Sequence, residues 1–212
     1  MKISEIFLSI DGEGPRAGYL ATFIRTFGCP LRCSYCDSLY ALEGNDFVGM
    51  SIDLIMQEVE ELGCKRVTLT GGEPIIQSDA LALVSELAAN DYEVQIETSG
   101  AVDYIPYLSM GNVFVTADWK CPSSGMADRM LRDQVKYLRD IDVLKFVVGS
   151  KEDLLEMKEM YDKTAAQIFV SPVFGKIEPK DIVEFVKENR LYDARVQLQL
   201  HKYIYPVDMR GV

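Results

Sequence analysis

Histidine occurs once in this 212-residue chain, at His201, and tryptophan once, at Trp119. A structural zinc site needs four ligands, usually cysteine and histidine, so a single histidine leaves few ways to build one. No apolar run approaches the length that spans a bilayer, and Met1 to Asp11 lacks a basic segment followed by an apolar signal core. Both absences point to a cytoplasmic chain with no membrane partner. Positive charge is also scarce: 22 lysines and arginines face 33 acidic residues, for a formal net charge of -11. Such a surface repels nucleic acid and favours a small-molecule substrate. The five cysteines do not form a distributed disulfide framework; three fall within eight residues, which suits a reducing compartment and a metal site. No repeat, linker or low-complexity stretch divides the chain, so a single domain over 1–212 is expected, in ordinary globular composition.

Apolar runs rich in β-branched and aromatic residues near 3–10, 20–27, 66–70, 92–98, 112–116, 143–148, 167–171 and 194–200 read as strands. Helical patterns lie between several of them. Ser51 is placed to cap a helix that buries Ile52, Ile55, Met56, Val59 and Leu62, and Gly63 to end it. A second helix is expected from Ser78 to Asn90, a third after Ser150 with Asp153 as its capping-box partner, and a fourth over 179–189 with Pro179 in its first turn. Alternation of strand and helix from residue 66 onward calls for crossovers and a mainly parallel sheet, covered by helices on its outer face. The units are too few for a full eight-stranded barrel. The expected fold is therefore α/β: a partial, open βα barrel with an N-terminal hairpin over 3–27 and functional residues at the carboxyl ends of its strands.

The segment from Gly28 to Asp37 sets Cys29, Cys33 and Cys36 at Cys-x3-Cys-x2-Cys spacing directly after a strand. Zinc would need a fourth ligand, and Cys64 and Cys121 are distant in sequence. A redox pair of Cys33 and Cys36 leaves the third thiol unexplained. Three thiolates on a four-iron cluster leave one iron free, the vacancy that a chelating amino-acid cofactor needs. A second motif, Gly71-Gly72-Glu73-Pro74, turns at the end of the strand Val67 to Thr70, where glycine permits close backbone approach. Alone it is only a turn. In this order the two motifs resemble the radical S-adenosylmethionine (SAM) superfamily. The resemblance implies a [4Fe-4S] cluster on the three cysteines, SAM chelating the open iron, and a 5'-deoxyadenosyl radical, with no side chain assigned as catalytic. It also implies SAM contacts from Tyr35, Gly72 and Glu73.

Further segments, over nearly the whole chain, resemble the 7-carboxy-7-deazaguanine synthase family. Ser9 to Gly14 looks like that family's Q-G-E-G loop with Asp11 in place of glutamine; read alone it is a glycine-rich hairpin turn. The resemblance implies that Ile10, Asp11, Gly12 and Glu13 read the edge of a pterin and that Arg25 grips its carboxylate. From its own surroundings Arg25 needs only some partner, and an internal salt bridge would serve. Asp37-Ser38 implies magnesium at Ser38. Thr70 would face substrate, while Glu97 and Ser99 of the Ile-Glu-Thr-Ser-Gly turn would meet SAM. Asp118 and Lys120, in a stretch that departs from the family's S-P-K-P at Asp118 and Trp119, are assigned to SAM with Lys145. Trp119 reads as core, and Cys121 as an unpaired buried thiol. Ser171, Pro172, Val173 and Phe174 would lie against adenine. The ending Gln199-Leu200-His201-Lys202 resembles the family's Q-x-H-K, which puts His201 on the substrate, and the carboxylate of Val212 is expected to return to the pocket.

The resemblance implies ring contraction of 6-carboxy-5,6,7,8-tetrahydropterin to 7-carboxy-7-deazaguanine with loss of ammonia, on the route to queuosine and archaeosine. Magnesium, a flavodoxin-like or other reductant and a homodimer come with it. Two other readings remain from the residues: an activating enzyme for a glycyl-radical protein, which shares the short cysteine motif, and a zinc-binding module without catalysis.

Overall fold

Side chains along a strand alternate between two faces, and here the alternation separates an apolar face from a polar one. The computed structural model describes residues 1–206 and 209–212. Its strands are β1 (Lys2–Ile10), β2 (Leu20–Thr26), β3 (Val48–Gly49), β4 (Arg66–Gly71), β5 (Glu93–Thr98), β6 (Val113–Trp119), β7 (Val143–Val148), β8 (Gln167–Pro172) and β9 (Arg195–Val196). They form one sheet in the order β3-β1-β2-β4-β5-β6-β7-β8-β9. The β1–β2 hairpin is antiparallel, and every pairing from β2 to β9 is parallel. β2 thus belongs both to the hairpin and to the open barrel.

Helices α1 (Ile52–Leu62), α2 (Ala80–Ala89), α3 (Lys151–Met160) and α4 (Pro179–Glu188) pack on the apolar face. Ile55, Val59, Leu83, Leu87, Met157 and Ile182 meet Val67, Leu69, Val94, Ile96, Phe146 and Val170 in one buried cluster. The helix ends follow the sequence. The Ser51 side chain accepts from Leu54 N and Gly63 closes α1 at φ 69°, the left-handed region glycine tolerates. Pro179 opens α4. Ser150 and Asp153 form a reciprocal capping box on α3.

Three expectations change. The links β5–β6 and β6–β7 contain only short 3-10 turns, so strand and helix do not alternate throughout. Pro106, Gly111, Pro122 and Gly125 break those stretches. The expected strand over 194–200 shrinks to β9, because the residues after it turn away from β8, and His201 opens the short helix α5 (His201–Ile204). β3, a two-residue pairing with the start of β1, was not expected at all.

Trp119 is core, 1% exposed, with its indole N–H donated to Glu156. Cys121 is a free buried thiol, as expected. Asp153 has further work: its carboxylate accepts from Ser123 N (2.9 Å), Gly149 N (2.6 Å) and Ser150 N (3.2 Å), joining α3 to the β6–β7 link. Asp153→Ala should strand these buried donors and lower stability by about 3 kcal/mol or more. Ser150→Ala, which removes one cap bond, should cost only about 1 kcal/mol. Urea midpoints of the two variants check the ranking.

Candidate active site

The polar face of the sheet lines a cavity of about 810 Å3. Register builds the wall: Arg25 pairs with Thr70 across β2 and β4, and Asp118 with Lys145 across β6 and β7. Thr70 donates to Glu97 at 3.0 Å. Cys29, Cys33 and Cys36 line the same cavity, as do Tyr35, Ser38, Gly72 and Ser99. So do Ile10, Asp11, Gly12, Glu13, Lys120, Val173, Phe174, His201 and Val212. Residues predicted on eight separate segments therefore share one space.

The cysteine loop is held by backbone contacts. Gly28 N donates to Ala41 O (2.7 Å), Glu73 N to Gly28 O (2.8 Å) and Gly72 N to Thr26 O (3.1 Å). A Cβ at Gly71 would strike the Thr26 backbone, and one at Gly72 would strike Gly28 O and approach Cys29. Both glycines are needed so that the Gly71–Pro74 turn can lie against the cysteine loop. Burial pushes all three thiols up in pKa, and the Lys120 ammonium works against it at each one. Tyr35 donates to Val147 O at 3.3 Å across the cavity wall.

Three expected contacts lie behind the wall. Glu73 is fully buried, and its carboxylate accepts from Thr98 Oγ1 (2.9 Å), Ser99 N (2.7 Å) and Ser99 Oγ. It ties two strand ends together, and it holds the Ser99 hydroxyl as well. Ser171 and Pro172 are buried and do not line the cavity; the Ser171 hydroxyl donates to Glu13 Oε1 at 3.2 Å. For these residues the β8 end meets the cavity only through Val173 and Phe174.

The cavity wall also holds a buried chain of alternating charge. Lys145 Nζ stands 3.1 Å from Glu13 Oε2 and 3.3 Å from Asp118 Oδ2, and Lys120 Nζ stands 3.1 Å from the same Asp118 oxygen. Burial opposes every one of these charges. Lys145 nevertheless holds Glu13 below its ordinary range, and Asp118 and Glu13 hold Lys145 well above its own. Lys145 is thus shared between two carboxylates, and Glu13 already accepts from Lys145, Ser171 and Gln199 (3.2 Å). Arg25 has the internal partner that its surroundings required: Nε meets Glu5 Oε1 at 2.6 Å, and Tyr40 donates to the same oxygen. Its terminal nitrogens make no hydrogen bond among the described residues.

Several residues that line the cavity or brace its wall were missed from sequence. Gln197 clasps Gly14, accepting from its N (2.7 Å) and donating to its O (3.1 Å), and Leu200 N donates to Gly12 O (3.0 Å). These bonds replace the strand expected over 194–200. His201 packs on Gly12, where a Cβ would strike its ring. Lys202 Nζ meets Asp37 Oδ2 at 3.1 Å, and Ser38 Oγ donates to Asp37 Oδ1 at 3.0 Å. The cavity wall raises the Asp37 carboxyl, but Lys202 and Ser38 outweigh it and bring it down to about 2. The Q-x-H-K resemblance carried the signal for Lys202. Nothing local pointed to the Gln197 clasp.

An open parallel sheet with three thiols at its mouth defines a radical SAM domain, and the Radical SAM superfamily model matches residues 23–113. The crystal structure of QueE from Escherichia coli shares the fold, with a TM-score of 0.76 over 94% of each chain at 24% identity. Within that class the chain belongs to the 7-carboxy-7-deazaguanine synthase family. The relative of that name from Clostridium acetobutylicum is 40% identical over all of this chain and 99% of its own length. One from Methanospirillum hungatei is 38% identical over 96% of this chain and 85% of its own.

The residues present fit the iron–sulfur cluster and SAM that this class uses. The donor set is three free thiols opening on one cavity, with Cys64 and Cys121 outside its lining. Asp118 Oδ1 is buried without a hydrogen-bond partner among the described residues, an acceptor left for a donor on a ligand. Lys145→Met should leave the buried Glu13 without its cation and Asp118 with Lys120 alone, and destabilise the iron-free protein by about 3–5 kcal/mol. Adding Glu13→Gln should recover part of the loss. Paired urea titrations of the single and double variants check both.

Proposed function

We propose that the cavity converts 6-carboxy-5,6,7,8-tetrahydropterin to 7-carboxy-7-deazaguanine by ring contraction with loss of ammonia, for 7-deazapurine biosynthesis. One observation carries the reading: a single cavity joins the three-thiol mouth to a pocket walled by the Ile10–Glu13 loop and Arg25. Family membership supports the same substrate, because relatives at 38–40% identity bear the name of that product. The whole of 1–212 acts as one radical SAM domain in this reading.

When bound, the cluster and SAM would supply radical chemistry at the substrate carbon bearing the carboxylate. Cys29, Cys33 and Cys36 would hold the cluster. Tyr35, Gly72, Glu97, Asp118 and Lys120 line the cavity and would hold SAM, with Val173 and Phe174 as candidates for its adenine. Glu73 and Ser99 act indirectly, by fixing the turn. The terminal nitrogens of Arg25 are free to grip a carboxylate in two parallel hydrogen bonds, while Glu5 fixes the plane of the guanidinium. Glu13, Thr70, His201 and Val212 border the ring, and the Lys145 charge keeps the Glu13 carboxyl ionised as an acceptor. Ser38, with Asp37 beside it, is the candidate magnesium contact; oxygen donors suit that hard ion.

The reading carries with it a flavodoxin-like or other one-electron reductant, a homodimer and a cytoplasmic setting. Five free cysteines suit such a reducing compartment. The net charge of -11 disfavours nucleic acid as partner.

The test is anaerobic reconstitution with iron and sulfide, then incubation with SAM, reductant, magnesium and the pterin. Appearance of 7-carboxy-7-deazaguanine with SAM unconsumed supports the reading. Absence of product, with 5'-deoxyadenosine accumulating only beside a large protein partner, would show a glycyl-radical activase instead. Arg25→Ala should weaken pterin binding roughly ten- to a hundredfold with iron content unchanged, and loss of iron in that variant would contradict the assignment.

A further inference from the structure

The loop that faces the substrate end carries an ion pair that no role above uses. Asp11 is 1% exposed, and its Oδ2 lies 3.2 Å from Arg16 NH2 and accepts from Thr68 Oγ1 at 3.1 Å. Arg16 NH2 donates in turn to Thr68 Oγ1 (2.6 Å) and Val67 O (3.2 Å), and NH1 to the backbone and side chain of Glu93 (both 3.3 Å). Asp11, Arg16 and Thr68 thus close a triangle beneath the cavity. The other oxygen, Asp11 Oδ1, makes no hydrogen bond among the described residues, and Asp11 lines the cavity.

Arg16 lies outside the cavity lining and is itself 8% exposed. A buried guanidinium with four protein partners, together with the Thr68 hydroxyl it holds, gives the loop a fixed donor pair. That pair takes one Asp11 oxygen and so turns the other toward the ligand. We infer that Arg16 is a positioning residue for substrate: it presents Asp11 Oδ1 as a fixed, anionic acceptor for a ring N–H donor of the pterin. The 2-amino-4-oxo edge of a pterin offers such donors, side by side. The inference rests on the pterin reading above and names the atom and the support behind it.

Charge around Asp11 gives the inference a distinctive readout. Burial and the nearby Glu97 raise the Asp11 carboxyl to about 6, with Arg16 and Thr68 pulling it down. Below that value the acid is protonated and the acceptor is lost, so affinity should fall as pH falls through about 6. Without Arg16 the opposing influences act with less restraint, and the fall should begin at higher pH. The other charged groups at this end are Glu13 with Lys145 behind it, Glu93 on β5, Arg25 on β2, and His201 against Gly12 with the Lys202–Asp37 pair beside it. Burial pushes the His201 pKa down.

The experiment measures binding of 6-carboxypterin, a non-reacting analogue with the same ring edge and carboxylate, to anaerobic holoenzyme between pH 5 and 7.5. In Asp11→Asn, Arg16 and Thr68 should capture the amide oxygen and turn its NH2 to the cavity, so affinity should drop roughly tenfold or more and the acid limb should vanish. Arg16→Met should keep the limb but move it upward by about one pH unit. The neutral double variant Asp11→Asn with Arg16→Met guards against misfolding of the single one, and should bind weakly with no limb. Asp11→Asn within twofold of wild type, or an Arg16→Met profile that overlays wild type, overturns the inference. Arg25→Ala separates the two readings. If wild type fails to bind, or if Arg25→Ala binds normally, the pterin reading itself fails; if Arg25→Ala loses binding while the Asp11 and Arg16 variants do not, only the Arg16 inference falls.

Discussion

Charge placed on the concave face of a sheet has to be neutralised where it stands, because water reaches it poorly and a lone buried ion is costly. Glu13, Lys145, Asp118 and Lys120 meet that constraint as one alternating row, with each inner member shared by two neighbours. The row joins the loop after β1 to the end of β6 and the middle of β7. Its consequence is geometric: no member can rotate toward a ligand without releasing a partner. The cavity is therefore walled by charges whose positions were fixed before any ligand arrived, which is what preorganised electrostatics require.

The ends of the chain serve the same constraint. Gln197, Gln199 and Leu200 bind the Gly12–Gly14 loop from above, while Arg16 ties it down to β4 and β5. A glycine at position 12 lets His201 sit against the loop, and Gly14, at φ 72°, lets the chain turn out of it. This cavity loop is thus gripped from two sides, one of them by a segment 183 residues away in sequence.

Strand patterns, the Ser51 and Ser150 caps and the cysteine spacing are local signals, and outside 194–200 the elements they announced are present. The Glu5–Arg25 pair was within reach too, since the hairpin register sets those residues directly opposite. What sequence could not supply was allocation. Lys145 was read as a SAM contact; its ammonium lines the cavity but is shared between Asp118 and Glu13, the latter 132 positions away. Glu73 was placed on the ligand for lying in the right turn, but its carboxylate faces Thr98 and Ser99. The run 194–200 looked like a strand because polar and apolar residues alternate there, and nothing local says that Gln197 and Gln199 serve the first loop. Partners of buried polar groups are long-range facts, whereas periodicity is a short-range one.

Consider again the backbone bonds that dock the cysteine loop on the Gly71–Pro74 turn, and the buried Glu73 behind them. None involves a sulfur. The cup that receives the cluster is consequently shaped by peptide groups and a carboxylate, which air does not attack. Removing the iron breaks none of these bonds, so the turn keeps its hold on the loop without the cluster.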